Sequence, residues 1–157
     1  SYLRDAFYEE YFPGQLNAVP ADGDTVRVGD DALLWRDLES TGYNVHLYRY
    51  ATTNGNRRYG VLFWAVTVID SPRDYRDVRL YVGSNSASMW WLNGEEVLLL
   101  SGDRRMVMDD ACSQRINLKK GRNVLRGAVI NGPGMSSFCV RFVDSDGLPI
   151  TDLKSCR

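Results

Sequence analysis

The chain has 157 residues, with 19 Lys+Arg, 20 Asp+Glu and one His. That length fits one domain able to bury roughly 68–70% of its unfolded surface without a metal or a disulfide. A net charge of −1 gives no reason to expect nucleic acid or an anionic membrane as a partner. No apolar run approaches the ~20 residues of a membrane span, and 44% hydrophobic with 25% charged residues excludes general disorder.

The first 45 residues hold no sustained period. Tyr2 to Phe12 mixes aromatics and acids, Pro13-Gly14 interrupts it, and Pro20 to Gly23 marks a loop. Thr25 to Val28 alternates as a short strand does. Leu33 to Leu38 is compatible with a helical turn or with a strand. Val45 to Tyr50 alternates and runs into Thr52-Thr53-Asn54-Gly55, an Asn-Gly turn signal. Val61 to Ile69 is apolar throughout and rich in β-branched residues, which predicts a strand covered on both faces, ending at Asp70-Ser71-Pro72. Asp77 to Val82 alternates again. Ser88 to Leu92 and Glu96 to Leu100 flank Asn93-Gly94, the strongest hairpin signal in the chain. A type I′ turn needs positive φ at both central residues, and Asn-Gly tolerates it. Arg115 to Leu118, Val124 to Ile130 and Phe138 to Val143 complete the series, with turns at Lys119-Lys120-Gly121, at Asn131 to Gly134 and at Asp144-Ser145-Asp146-Gly147.

About eight strands spaced about ten residues apart, with no long amphipathic helix, predict an all-β fold. The expectation is a single antiparallel β-sandwich or jelly roll over 1–157, with an irregular N-terminal segment (about 1–44) packed on it. The glycines sit at turns, and neither G-x-G-x-x-G nor G-x-x-x-x-G-K occurs, so no phosphate loop is expected. Nine Tyr, five Phe and four Trp against a single His favour rings that pack or stack over groups that move protons. His46 has no Gly-x-Ser-x-Gly elbow to serve, so the chain is expected not to be an enzyme. Cys112, Cys139 and Cys156 form no C-x-x-C pair, which argues against zinc. Three free thiols, or one disulfide and one thiol, both remain open. No signal peptide is visible at Ser1, and the chain starts and stops as an excised domain would.

Residues 80 to 130 carry a recognisable pattern. Leu80-Tyr81-Val82-Gly83-Ser84-Asn85-Ser86-Ala87 is followed by Trp90-Trp91-Leu92-Asn93-Gly94-Glu95-Glu96-Val97. Then comes Ile116-Asn117-Leu118-Lys119-Lys120-Gly121-Arg122-Asn123-Val124-Leu125. This resembles the sugar-binding jelly-roll domain of family 2 glycoside hydrolases and, more broadly, the galactose-binding-domain-like superfamily with its carbohydrate-binding modules. A strand, a small-residue loop, an x-W-[LV]-N-G-x-x-V hairpin and a K/R-x-G-x-N-x-L strand are all present. The family's Gly-Gly-aromatic stretch is replaced by Ser101-Gly102-Asp103-Arg104-Arg105. The resemblance implies a non-catalytic carbohydrate-binding module of a larger glycosidase or carbohydrate esterase, extracellular or periplasmic. It would have a polysaccharide or oligosaccharide and an attached catalytic domain as partners. The alternative is a structural or interdomain contact module with no glycan site.

A pyranose is held by a flat ring on its C–H face and by planar polar groups at its hydroxyls. One stacked ring is worth about 2–3 kcal/mol, and millimolar affinity needs about 4, so a site needs two rings or one ring with charge-assisted hydrogen bonds. Trp90 and Trp91 are adjacent and point to opposite faces of a strand. Trp90, sharing its face with Leu92, reads as core, as does Trp64. Trp91, sharing its face with Met89 and Asn93, is a candidate platform unless a loop lies over it. Trp35 either pins the N-terminal segment or lines a loop site. Tyr48 and Tyr50, with His46, fall on one strand face that is either a stacking surface or covered by the N-terminal segment. Arg104 and Asp103 could hold vicinal hydroxyls or simply face solvent. No cofactor is expected; Asp109-Asp110 and Asp144 with Asp146 offer at most the oxygens of a structural calcium site.

Overall fold

The structure, a computed structural model, describes residues 5, 7–21, 23–28, 31–40, 43–51, 61–84, 87–100, 111–131 and 138–156. Alternating side chains and turn residues resolve into strands β1 (Thr25–Val28), β2 (Asp31–Leu34), β3 (Arg36–Ser40), β4 (Tyr43–Ala51), β5 (Val61–Ser71), β6 (Tyr75–Ser84) and β7 (Ala87–Leu92). They continue with β8 (Glu95–Leu100), β9 (Ala111–Cys112), β10 (Ile116–Leu118), β11 (Gly121–Asn131), β12 (Phe138–Val143) and β13 (Lys154–Cys156). The main sheet runs β3-β4-β5-β11-β7-β8, with β13 also on β5; the smaller one runs β10-β6-β12, with β9 also on β6. β1 and β2 pair separately, and every ladder is antiparallel.

The architecture is therefore all-β, two antiparallel sheets with a core between them. Ile69, Trp90, Leu92, Leu100, Leu125 and Val129 of the main sheet meet Val78, Leu80, Val82, Leu118 and Phe142 of the smaller one. The other face of the main sheet is buried as well. Trp64, Val66, Met89, Trp91 and Ala128 pack there against Phe7, Phe12 and Trp35. This double cover is why Val61 to Ile69 contains no polar residue but Thr67.

The N-terminal stretch is more regular than its composition predicts, because it contains β1, β2 and β3. Leu33 to Leu38 is strand, broken at Trp35, where the chain passes from the small hairpin to the main sheet. Short strands with mixed polar and apolar residues carry too weak a period to be read locally. The same holds for β9 and β13, which are two and three residues long. The turn at Thr52 to Gly55 lies outside the described residues.

The hairpin β7–β8 turns as its Asn-Gly pair requires, with φ of 52° at Asn93 and 86° at Gly94. Two asparagines then lock it to β11. Asn93 Oδ1 accepts from Val124 N (2.9 Å), and Asn93 Nδ2 donates to Asn123 Oδ1 (3.0 Å). Asn123 is fully buried; its amide also donates to the Lys119 and Gly121 carbonyls, and its oxygen accepts from Lys119 N. The W-L-N-G and K-x-G-x-N motifs are thus two halves of one hydrogen-bonded joint.

Strand β6 carries a kink at Asp77, whose φ is 58°. Asn117 Oδ1 accepts from Asp77 N (3.1 Å), and Arg115 donates to the Asp77 carbonyl (3.2 Å). The register shifts here, so Tyr75 and Val78 both point inward, three residues apart. From Val78 on, alternation is regular: Val78, Leu80 and Val82 are sealed inside, which turns Arg79 and Tyr81 outward.

Candidate functional site

The four tryptophans are all buried. Trp35 and Trp91 are each 3% exposed, so neither presents a ring face to solvent. Trp91 stacks on Trp64, with centroids 5.6 Å apart and planes 16° from parallel. Phe12 stands edge-on to Trp35 and to Trp64, and Tyr8 stands edge-on to Trp91. The Trp91 indole N–H donates to the Tyr8 hydroxyl (3.2 Å), which donates to Glu96 Oε1 (3.0 Å). The cover over Trp91 is therefore the segment from Phe7 to Gln15, a stretch remote in sequence.

That segment is self-braced and pinned. Gln15 Oε1 accepts from Tyr11 N and Phe12 N, and its Nε2 donates to the Glu9 carbonyl. Arg126, opposite Trp91 on β11, is 4% exposed and donates to the Gln15 carbonyl (3.2 Å). Burial of its guanidinium pushes the pKa down to about 10. Burying Phe7 and Phe12 contributes about 3–6 kcal/mol to holding the segment down. The Trp64 indole N–H is buried there without a hydrogen-bond partner.

Tyr48 and Tyr50 occupy β4 positions opposite Trp64 and Leu62, and His46 is opposite Val66. The side chains of these three lie outside the described residues, as do Asp103, Arg104, Asp109 and Asp110. Cys112 is a free thiol; the side chains of Cys139 and Cys156 also lie outside. Asp144 Oδ1 accepts from Asp146 N and Leu148 N, so this carboxylate caps its own turn. Among the described residues no group of three or more His, Cys, Asp or Glu side chains could hold a metal ion.

A second surface emerges on the outward face of the smaller sheet. Tyr81 on β6 sits in register between Arg141 on β12 and Cys112 on β9. All three are partly exposed, as is Arg79 two positions along β6. The Arg141 guanidinium carbon lies 5.7 Å from the Tyr81 ring centroid. Arg79 Nη1 donates to Cys112 Sγ (3.6 Å), a weak acceptor. Arg115 stands exposed at the kinked end of the same sheet. One phenol flanked by guanidinium forks can stack on an apolar ring face and donate to oxygens at its edge. Alternation in Val78-Arg79-Leu80-Tyr81-Val82 already marks the outward pair. The pairing of Tyr81 with Arg141, 60 residues away, is set only by the β6–β12 register.

Comparison with known proteins finds no matching family, no similar curated protein and no similar solved structure.

Proposed function

We propose that this chain is a non-catalytic glycan-binding module of galactose-binding-like, jelly-roll type, serving a larger secreted or periplasmic carbohydrate-active enzyme. Glycan is held on the outer face of the smaller sheet, around Tyr81. The observation that carries this reading is the partly exposed Tyr81 ring, in register with Arg141 and two residues from Arg79. Stacking of a sugar on one face of a ring supplies about 2–3 kcal/mol. A charge-assisted hydrogen bond adds about 1.5–3 kcal/mol, for a sum of about 3.5–6 kcal/mol against the roughly 4 kcal/mol of a millimolar complex. The Trp-Leu-Asn-Gly hairpin and its Asn123 joint support the family likeness as a matter of fold. Calorimetric titration of a panel of soluble polysaccharides and oligosaccharides tests it. The expected result is a dissociation constant of about 0.1–1 mM for at least one glycan, lost in Tyr81→Ala. Failure of every glycan to bind more tightly than millimolar defeats it.

The burial of all four tryptophans, none more than 3% exposed, favours a second reading: a contact module between domains, with its rings spent on the core. Under that reading the same titrations are flat, and Tyr81→Ala changes nothing measured.

A further inference from the structure

We infer that the glycan is anionic, a uronate or sulfated chain, and that Arg79, Arg141 and Arg115 select it; this rests on the reading of the Tyr81 face as a glycan surface. The whole chain carries a net charge of −1, yet Arg79 and Arg141 flank Tyr81 on this face and Arg115 stands at the kinked end of the same sheet. Among the described residues, Arg79 and Arg115 have no carboxylate partner. Arg79 reaches the Cys112 sulfur, and Arg115 a backbone carbonyl. Among the described residues of this sheet's strands the acid is Asp77, an exposed side chain at the kink beside Arg115; Asp144, just after β12, caps its own turn.

A neutral sugar needs only hydroxyl partners, which amides and hydroxyls supply at lower desolvation cost. Arginine forks match the two oxygens of a carboxylate or sulfate in a planar, bidentate contact. Tyr81 lies between the Arg79 and Arg141 positions, which places one ring platform with a cation along the strand and a cation across it. Residues two apart on a strand are roughly 7 Å apart and cross-strand neighbours about 5 Å. Acidic groups on successive sugar rings can therefore meet both forks while one ring covers the phenol.

The test compares an oligogalacturonate with its own methyl ester, which keeps the ring and removes the charge. A sulfated oligosaccharide and a single-stranded DNA oligomer are added as further probes. Titration calorimetry on the full chain is run for the parent, the Arg79→Gln/Arg141→Gln pair, the Arg141→Lys variant and Tyr81→Ala. Circular dichroism confirms that each variant folds. The expected result is at least a tenfold preference for one of the charged oligosaccharides over the ester, on the order of a lost charge-assisted bond pair. That preference disappears in the double Gln variant and falls in Arg141→Lys, which keeps charge but loses the fork. Raising salt from roughly 50 to 300 mM weakens the charged ligand by about five- to tenfold and leaves the ester unchanged. Equal binding of ester and acid, with neutral Gln substitutions and loss only in Tyr81→Ala, overturns the inference while the glycan reading stands. DNA binding as tightly as the oligosaccharides also overturns it. If no saccharide binds at all, the glycan reading falls and takes the inference with it.

Discussion

Gly127 sits on β11 directly opposite Trp90 of β7, on the side that faces the smaller sheet. Its backbone is ordinary, so left-handed geometry does not explain the glycine. The explanation is the Trp90 ring, which lies across it. A Cβ at Gly127 would stand 2.4 Å from Trp90 Cζ3, 2.7 Å from Cε3 and 2.8 Å from Cη2. The ring must retreat by roughly 1 Å to restore van der Waals contact. It has little room to do so: Trp90 is 2% exposed, and its indole N–H donates to Ser88 Oγ at 3.0 Å. Overpacking of a tight core costs about 1–3 kcal/mol, and a displaced indole belongs at the upper end, so Gly127→Ala is expected to lose about 2–4 kcal/mol. For a domain of this size the melting temperature drops by about 5–12 °C. A double-mutant cycle isolates the cause. Trp90→Leu alone opens a cavity and loses about 2–4 kcal/mol. Adding Gly127→Ala to Trp90→Leu is expected to be neutral or to gain about 0.5 kcal/mol, since the glycine's backbone entropy is then recovered without a clash. Chemical denaturation followed by circular dichroism measures all four corners. A Gly127→Ala single variant within about 0.5 kcal/mol of the parent, or additive corners, would refute the reasoning.

Asn123→Ala should destabilise by about 2–4 kcal/mol in the same denaturation assay. It strands the Lys119 N–H, the Lys119 and Gly121 carbonyls and the Asn93 amide around a fully buried position. Arg126→Met should raise stability by about 1–2 kcal/mol. Burial lowers the guanidinium pKa to about 10, which corresponds to about 3 kcal/mol of disfavoured charge, and the substitution gives up one hydrogen bond to Gln15, worth about 1–2 kcal/mol. A Met variant less stable than the parent contradicts this account. Tyr75 donates to Asp152 Oδ1 at 2.6 Å, and that bond together with burial raises the phenol's pKa above 10.0. A raised acid favours the folded state while it is protonated. The bond's contribution is therefore present below pH 10 and lost as pH climbs through the raised value. Tyr75→Phe should be less stable than the parent by about 1 kcal/mol near neutral pH, with the gap closing in melts above pH 10; a gap constant with pH contradicts it.

What the chain determined by itself is local. Two-residue alternation in Val78 to Val82 separates the inward aliphatics from Arg79 and Tyr81. Asn93-Gly94 carries its own turn, because positive φ is tolerated by those two residues in that order. The run from Val61 to Ile69, apolar but for Thr67, announces that both faces of β5 are covered. None of these patterns says what does the covering. Trp91 is a candidate platform unless a loop lies over it, and Phe7, Tyr8 and Phe12 arrive from some 80 residues away to seal it. Asn123 is one position of a sequence motif until its amide is found bonded to Asn93 across the sheet. The Tyr81–Arg141 pair exists only because β12 adds to the edge of β6. Alternation and turn chemistry depend on neighbours a few residues apart, so they are written in the chain. Which surface is sealed and which stays open depends on contacts between distant segments, and those form only when the two sheets and the N-terminal cover close together.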